Sequence, residues 1–152
     1  MTGPTIRVAD EHDVLMLAAL RSQWETEKRT SDDPGFEAAF RNWFDAERHH
    51  RVFWIALLDE QPVGMVNLML FDRMPTPGKA SGGWGYLGNM YVQESVRNGG
   101  VGGQLVLALL DEADRLGLER VVLRPTDRAR PFYARRGFVA ADDLLLVRPL
   151  SR

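Results

Sequence analysis

The feature that most constrains the fold is a glycine-rich stretch at residues 97–103, Arg-Asn-Gly-Gly-Val-Gly-Gly, which we call the hinge. Residues 86–92, just before it, carry the aromatic and branched side chains typical of a covered strand. From the hinge onward, Val101, Leu105 and Leu109 recur at helical spacing. The hinge is therefore predicted to turn a strand directly into a helix.

A helix that begins on glycines is suited to binding an anion. Its first turn leaves backbone N–H groups unpaired and carries partial positive charge, and glycine has no side chain to block approach. Arg97 adds a full charge, so the hinge is predicted to bind a pyrophosphate. A Walker loop needs Lys followed by Ser or Thr where this chain has Gln104 and Leu105, and the dinucleotide fingerprint needs glycine at 105. Simple capping of the helix by glycines is the alternative.

Other elements are predicted from residue patterns. Proline and glycine mark loops at 30–35 and 72–84, and Asp10 has the position of an N-cap for the first helix. Strands are predicted at 5–9, 52–58, 62–70, 119–123, 138–140 and 144–150, and further helices from Phe36 and over 130–136.

Two separated motifs carry a resemblance to a known family. Arg-x-x-Gly-x-Gly follows a strand ending in Met-Tyr-Val, and after a helix and a strand comes Ala-Arg-Pro-Phe-Tyr-Ala-Arg-Arg-Gly-Phe at 129–138. In this order the chain resembles the GCN5-related N-acetyltransferase (GNAT) family over about its whole length. The resemblance implies an α/β fold with a mixed, largely antiparallel sheet, helices on both faces and the order β-α-α-β-β-β-α-β-α-β-β.

The resemblance also implies a chemistry. Acetyl-coenzyme A is the expected cosubstrate, its pyrophosphate on the hinge amides and its pantetheine arm in a gap where two strands splay apart. Tyr133 is expected to protonate the departing thiolate. The expected cofactor-binding residues are Met90, Tyr91, Val92, Arg97, Asn98, Gly99, Gly100, Val101, Gly102, Gly103, Thr126 and Arg130.

Several of these assignments have alternatives or gaps. Tyr133 has a structural alternative as a packing aromatic beside Phe132, and Thr126 as a loop cap. Related enzymes often place a glutamate base where this chain has Gly88, so a water-mediated base or a partly neutral amine is expected instead. The oxyanion donor is expected to be a backbone N–H at 90–91.

The acceptor is expected to be a primary amine on a small cationic molecule. Residues 25–37 hold five acidic and two basic side chains, which favours a cation, although solvated surface charge is the alternative. The expected acceptor contacts are Trp24, Trp84, Tyr86 and Asn89. A catalytically silent member of the fold, binding coenzyme A as a sensor or scaffold, is the alternative function.

Composition narrows the other classes. With 152 residues, 45% of them hydrophobic, the chain suffices for one domain spanning 1–152. The absence of cysteine excludes disulfides and an acyl-cysteine intermediate, and the histidines lack metal-ligand spacing. A net charge of −2, no membrane-length apolar run and no signal pattern predict a cytoplasmic protein without nucleic-acid or membrane partners. The sequence is compatible with a homodimer.

Overall fold

A single five-stranded sheet organises the computed structural model, which describes residues 2–29, 32–80 and 82–151. The spatial order of the strands follows the sequence, with β1 to β4 antiparallel and β5 parallel to β4. This confirms the predicted α/β class with a largely antiparallel sheet. The strands are β1 Thr5–Val8, β2 Arg51–Leu58, β3 Gln61–Asp72, β4 Gly83–Val92 and β5 Val121–Val122.

Helices cover both faces of the sheet. The described residues form α1 Val14–Thr26, α2 Phe36–Glu47, α3 Val101–Arg115 and α4 Arg130–Ala134, with short 3-10 turns at Glu11–Asp13, Glu94–Val96 and Asp127–Ala129. The Asp10 carboxylate accepts a hydrogen bond from the N–H of His12 at 2.8 Å, so the predicted cap is confirmed at the 3-10 turn that leads into α1. None of the described helices is long and apolar enough to cross a bilayer.

The core has two parts, one on each face. Successive residues of a strand point to opposite faces, so Trp54 and Ala56 of β2 pack with α3, whereas Phe53 and Ile55 pack with α1 and α2. Residues 63–68 of the long strand β3 are buried throughout. The sheet is therefore a rigid, doubly covered platform for the residues at its edge.

Strand β4 is irregular at two places that shape the site. Its ladder with β3 shifts register, with Met65 opposite Tyr91 but Asn67 opposite Gly88, so that two residues of β4 form a bulge. Asn89 in this bulge has a φ of 54°. The ladder with β5 has two residue pairs near Gly85, and toward its C-terminal end β4 has no further pairing with β5. This is the splay that the resemblance implied.

The predicted order of elements is confirmed as far as α4. The strands predicted at 138–140 and 144–150 are not formed, and the strand predicted at 119–123 shortens to β5. Branched side chains favour a strand only where a partner edge accepts the backbone hydrogen bonds. In the described structure residues 144–150 have no such ladder, and Leu146 and Val147 are exposed.

The two predicted loops fall partly outside the described residues, at 30–31 and 81. Among the described residues of the second loop, Trp84 belongs to β4 and not to a loop. Its backbone pairs with that of Phe71 and the two rings stack with centroids 4.4 Å apart. Pairing with the long strand β3 therefore overrides the local proline and glycine content.

Candidate active site

A deep cleft opens where β4 and β5 diverge. It has a volume of about 1020 Å³, at the upper end of the range for small-molecule sites. Its walls are the C-terminal half of β4, the hinge, the first turn of α3 and parts of residues 123–136. We call it the main cleft. A long ligand with chemically different segments suits such a site.

The hinge presents free backbone amides to the main cleft. The first helical hydrogen bond of α3 runs from the N–H of Gln104 to the carbonyl of Gly100 at 3.1 Å. In the described structure the N–H groups of residues 101–103 have no backbone acceptor. Asn98 and Gly100, with φ of 67° and 89°, turn the chain in the left-handed region just before them. The result is a concave row of donors of the kind that binds anions.

Gly99 is the one hinge residue that does not line the main cleft. Its N–H donates to the carbonyl of Val96 at 3.3 Å, which turns the amide away. The other predicted hinge residues do line the cleft: Arg97, Asn98, Gly100, Val101, Gly102 and Gly103.

Arg136 places a second cation at the start of α3. Its guanidinium stacks on the Phe132 ring at 3.9 Å, and its Nη1 donates to the Phe132 carbonyl at 2.8 Å. A Cβ on Gly103 would overlap this guanidinium, so the glycine is required for Arg136 to lie there. A cation beside the positive end of a helix is unfavourable unless an anion lies between them. The arrangement therefore fits a phosphate group.

The predicted role of Arg97 is modified by an ion pair. Its Nη2 donates to Glu27 Oε2 at 2.7 Å and its Nε to the Val92 carbonyl at 2.9 Å. The Tyr91 hydroxyl donates to the other oxygen of Glu27 at 2.7 Å. Burial and then the bond to Glu27 raise the pKa of Tyr91 to about 12. Burial opposes ionisation of Glu27, but the bonds from Arg97 and Tyr91 outweigh it and lower its pKa.

We call this set of contacts the Glu27 clasp. It ties the end of α1 to the hinge, across 70 residues of sequence. Arg97 lines the main cleft from within it, so its positive charge is partly neutralised by Glu27.

Tyr133 is one of the residues that line the main cleft. It is buried, with 7% of its surface exposed, and packs edge-on between Phe132 at 5.0 Å and Phe138 at 5.6 Å. Burial raises the pKa of its phenol, and the positive charge of Arg136 offsets this only in part. The packing matches the structural alternative, and the position in the cleft wall matches the general-acid role. The two roles are compatible in one side chain, because the packed ring also lines the cleft.

Two other predicted cofactor residues lie differently from expectation. Thr126 lines the main cleft, but its Oγ1 accepts from the N–H of Ala129 at 3.2 Å and caps a 3-10 turn. Arg130 is exposed, pairs with Asp127 at 3.2 Å and does not line the cleft. Arg128 lines it instead, because a helical turn points alternate residues of 127–130 in different directions.

The β4 side chains divide between the two faces of the sheet. Met90 and Val92 line the main cleft, whereas the Tyr91 side chain points into the α1 side and stacks on Trp24 at 5.8 Å. Tyr91, which was predicted to bind the cofactor, is therefore not among the residues that line the main cleft. Gly88 also lines the cleft, and a Cβ there would meet its nearest neighbour, Asn67 Oδ1, at 3.5 Å. Steric crowding therefore does not explain why this position lacks a glutamate.

A second, smaller cavity adjoins the main cleft on the α1–α2 side. It has a volume of about 370 Å³, and Asn89 lines both cavities. Its wall is formed by Phe36, Phe40, Trp43 and Phe53, so we call it the aromatic pocket. In the described structure, neither cavity is lined by an Asp, Glu or His side chain.

A chain of hydrogen bonds fixes Asn89 at the boundary of the two cavities. Arg51 Nη1 donates to Asn67 Oδ1 at 2.8 Å, and Asn67 Nδ2 donates to Asn89 Oδ1 at 2.9 Å. Asn67 is only 3% exposed, and Arg51 is itself held by Glu47 at 2.9 Å. Because the central residue of this chain is buried and hydrogen-bonded on both sides, it restrains the exposed Asn89 side chain. Neither Arg51 nor Asn67 was predicted as a site residue, although a lone Asn within an apolar strand is a visible signal in the sequence.

Comparison with models of protein families identifies the family of this chain. The model of the acetyltransferase (GNAT) family matches residues 16–138. The chain belongs to the GNAT family. The resemblance that two motifs predicted is thereby confirmed, and the chain is an acyltransferase by family.

GNAT proteins of solved structure share the fold at low sequence identity. Among them are a predicted acetyltransferase with acetyl-CoA from Clostridium acetobutylicum (23% identity, covering 96% of both chains, TM-score 0.76) and glucosamine-6-phosphate N-acetyltransferase from Arabidopsis thaliana (14%, covering 99% of this chain and 100% of the other, TM-score 0.75). A third is the ribosomal-protein-alanine N-acetyltransferase from Brucella melitensis biovar Abortus 2308 (18%, 99% of both, TM-score 0.73). Proteins of curated function give no significant sequence match. The named acceptors differ, so the fold leaves the acceptor open.

The residues of the main cleft fit acetyl-CoA, the cosubstrate of a GNAT acetyltransferase. The free amides of residues 101–103 with Arg128 and Arg136 suit its phosphates, and the unpaired edge of β4 suits the amide-bearing pantetheine arm. In the described parts of the chain, no three His, Asp or Glu side chains are grouped to hold a metal ion.

The predicted acceptor contacts are only partly brought together. Trp24, Tyr86 and Asn89 line the main cleft, whereas Trp84 lines neither cavity. Trp24 has Tyr91 stacked on it and the Arg21 guanidinium 4.8 Å from its ring centre, so contacts that an ammonium ion would make are already made.

Proposed function

We propose that the protein moves an acetyl group from acetyl-CoA to a primary amine of a small molecule, by direct attack in a ternary complex. The observation that supports this proposal is that the groups needed for the reaction lie together. The free amides of the hinge, the unpaired edge of β4 and the phenol of Tyr133 all line one cleft, and the aromatic pocket opens beside it at Asn89.

Tyr133 has the properties that a general acid needs here. Its phenol is protonated at neutral pH, since burial raises a pKa that is ordinarily about 10. As the amine nitrogen bonds to the acetyl carbon and the carbon–sulfur bond breaks, Tyr133 gives its proton to the departing sulfur. A backbone N–H of β4 at the bulge is the proposed donor to the carbonyl oxygen as negative charge develops there.

The attacking amine must lose a proton without a carboxylate or imidazole beside it. In the described structure none lines either cavity, and Glu27, which pairs with Arg97 of the hinge, is held by Arg97 and Tyr91. We therefore propose that the amine attacks in its neutral form and passes its proton to water. Asn89, fixed by Asn67, is placed to orient that water.

Two of the acidic side chains that favoured a cationic acceptor are already paired with arginines in the structure. Glu25 pairs with Arg29 at 2.7 Å and with Arg21 at 3.4 Å, and Glu27 is committed to the clasp. The acceptor that we propose has a positive charge only on its reacting amine, and this amine loses a proton before it attacks.

Acetyl transfer is tested by incubating the protein with acetyl-CoA and a panel of primary amines. We expect release of coenzyme A thiol together with an acetylated amine detected by mass spectrometry. A reaction without amine measures background hydrolysis of the thioester. If acetyl-CoA stabilises the protein against heat but no amine is acetylated, the chain is the silent coenzyme A binder that the sequence left open.

Attack by a neutral amine without an enzyme base predicts a specific pH dependence. We expect kcat/KM to rise tenfold per pH unit up to the pKa of the free amine, because only the neutral amine attacks. For two amines whose pKa values differ by about two units, the pH values at which kcat/KM stops rising should also differ by about two units. The fall at high pH should lie above about pH 10, since a raised pKa keeps Tyr133 protonated to higher pH. An ascending break at one pH for both amines would instead reveal a base on the enzyme.

A further inference from the structure

We propose that the acceptor is a monoamine on a flat apolar body, such as a single aromatic ring, and that the aromatic pocket binds this body. The proposal rests on the acetyl transfer proposed above and names its substrate class. It places the amine at Asn89 and excludes acceptors with a second positive charge.

The position of the pocket makes it the place for the body of the acceptor. Asn89 lines both the pocket and the main cleft, so a ligand in the pocket reaches the cleft there. Asn89 and Asn67 are the uncharged polar side chains that line the pocket, and they lie together through a 2.9 Å hydrogen bond. A ligand with one polar end and one apolar end therefore has a single favourable orientation, with the polar end at the main cleft.

The wall of the pocket is chemically suited to a ring. Phe36, Phe40, Trp43 and Phe53 form a continuous series with centroids 5.5 to 5.9 Å apart. Trp43 is 37% exposed, and Phe36 and Phe40 are half-buried, so aromatic surface is left for a ligand to cover. Aromatic rings gain beyond area burial when they pack against one another at such distances.

The volume of the aromatic pocket indicates the size of the acceptor group that it can hold. About 370 Å³ lies near the lower end of small-molecule sites. A body of one or two rings fills such a space. An oligosaccharide with several amines, or a peptide helix, does not fit within it.

Charge sets the second limit. Arg21 is the charged side chain that lines the pocket, and no acidic side chain does so among the described residues. Glu25 reaches Arg21 at 3.4 Å but is shared with Arg29 at 2.7 Å. Next to Asn67, at the polar end of the pocket, the positive charge of Arg51 is paired with Glu47. A diamine that puts its second ammonium in the pocket meets an arginine and no compensating carboxylate, which is unfavourable.

Matched pairs of amines test both limits on the same enzyme. We expect kcat/KM for 2-phenylethylamine to exceed that for propylamine by about 10- to 100-fold, the range for burying one apolar group of this size. We expect hexylamine to exceed 1,6-diaminohexane by about tenfold or more, each value corrected for its neutral fraction. Equal values within the first pair, or preference for the diamine in the second, would overturn the proposal while leaving acetyl transfer intact.

Two variants locate the effect in the pocket. Phe40→Ala should lower the ratio of kcat/KM for 2-phenylethylamine to that for propylamine about tenfold, without a change in the KM for acetyl-CoA. Arg21→Gln should raise the diamine-to-monoamine ratio about three- to tenfold. Arg29→Gln is the matched control, since Arg29 also pairs with Glu25 but is exposed and lines neither cavity.

Each outcome separates the two proposals. An equal loss for all amines in Phe40→Ala, or the same change of ratio in Arg21→Gln and Arg29→Gln, would contradict the pocket assignment. Acetylation of no amine by the wild type, despite stabilisation by acetyl-CoA, would overturn the proposed function itself.

Discussion

Gly102→Glu is expected to abolish the thermal stabilisation by acetyl-CoA while leaving the free protein folded. In the wild type, a cosubstrate at about 100 times its Kd contributes about 2.7 kcal/mol. For a domain of this size that corresponds to a rise in Tm of about 5 to 10 °C. The variant should show no rise, because its carboxylate would occupy and repel the anion position at the start of α3.

The free protein should tolerate this change because of where Gly102 lies. A Cβ there would meet the Phe132 ring at 3.4 Å and Val92 at 3.7 Å, which are ordinary contacts. Gly102 is the second residue of α3, where a carboxylate favours the helix dipole by about 0.3 to 1 kcal/mol. Replacing a helical glycine contributes about as much again. The Tm of the variant without acetyl-CoA should therefore be equal to or above that of the wild type.

Two further variants separate charge from bulk. Gly102→Gln has the size of glutamate without its charge and should retain part of the stabilisation, and Gly102→Ala should retain most of it. A full rise in Tm for Gly102→Glu would mean that the pyrophosphate binds away from the hinge. A free Tm far below that of the wild type would contradict the packing described around residue 102.

The hinge could be predicted from the sequence because its physics is local. Glycine spacing, the strand before it and the helical periodicity after it fall within a few turns of chain, and together they determine a helix start with free amides. Tyr133 could be named as a candidate for a similar reason, since its neighbours on both sides belong to one motif, and the structure places it in the lining of the main cleft. Local sequence also led to the prediction that Arg130 binds the cofactor, yet Arg130 does not line the cleft. The direction of a side chain on a single turn depends on where the turn begins, and the local pattern does not determine this.

What the sequence could not give are contacts between distant segments. The Glu27 clasp joins residues 70 apart, and nothing near Arg97 in sequence reveals that its charge is shared. The seat of Arg136 over Gly103 depends on how α4 docks on α3. Asn67 meets Asn89 only because the bulge shifts the register of β4. Each of these depends on tertiary packing that no short pattern encodes.

The two incorrect strands near the C-terminus show the limit of propensity. Residues 144–147, Leu-Leu-Leu-Val, have strand-forming composition but no alternation of apolar and polar residues, and Pro149 follows them. A strand needs a partner edge, and the described structure gives this segment none. Trp84 is the converse case, where an available edge on β3 makes a strand out of a segment predicted to be a loop.

Tyr133→Phe is expected to lower kcat by about 10- to 10⁴-fold, the contribution of one general acid, with little change in the binding of acetyl-CoA. Phenylalanine keeps the ring that packs between Phe132 and Phe138. Since this packing is retained, the substitution should cost little stability.

The matched control for this loss is Tyr91→Phe. It removes a phenol that faces away from the main cleft and donates to Glu27 at 2.7 Å. Loss of that bond should lower stability by about 1 to 2 kcal/mol and leave kcat within a factor of about three. If both variants lose activity equally, the effect reflects general destabilisation and not proton transfer.

The pH profile of the Tyr133→Phe variant makes the assignment specific. If the phenol supplies the proton, the wild type loses activity as Tyr133 ionises above about pH 10, and the variant has no such fall because it has no acid to lose. The two profiles should therefore converge at high pH, where the sulfur of both enzymes leaves without protonation. A constant ratio of the two rates across the whole range would show that Tyr133 acts through packing alone.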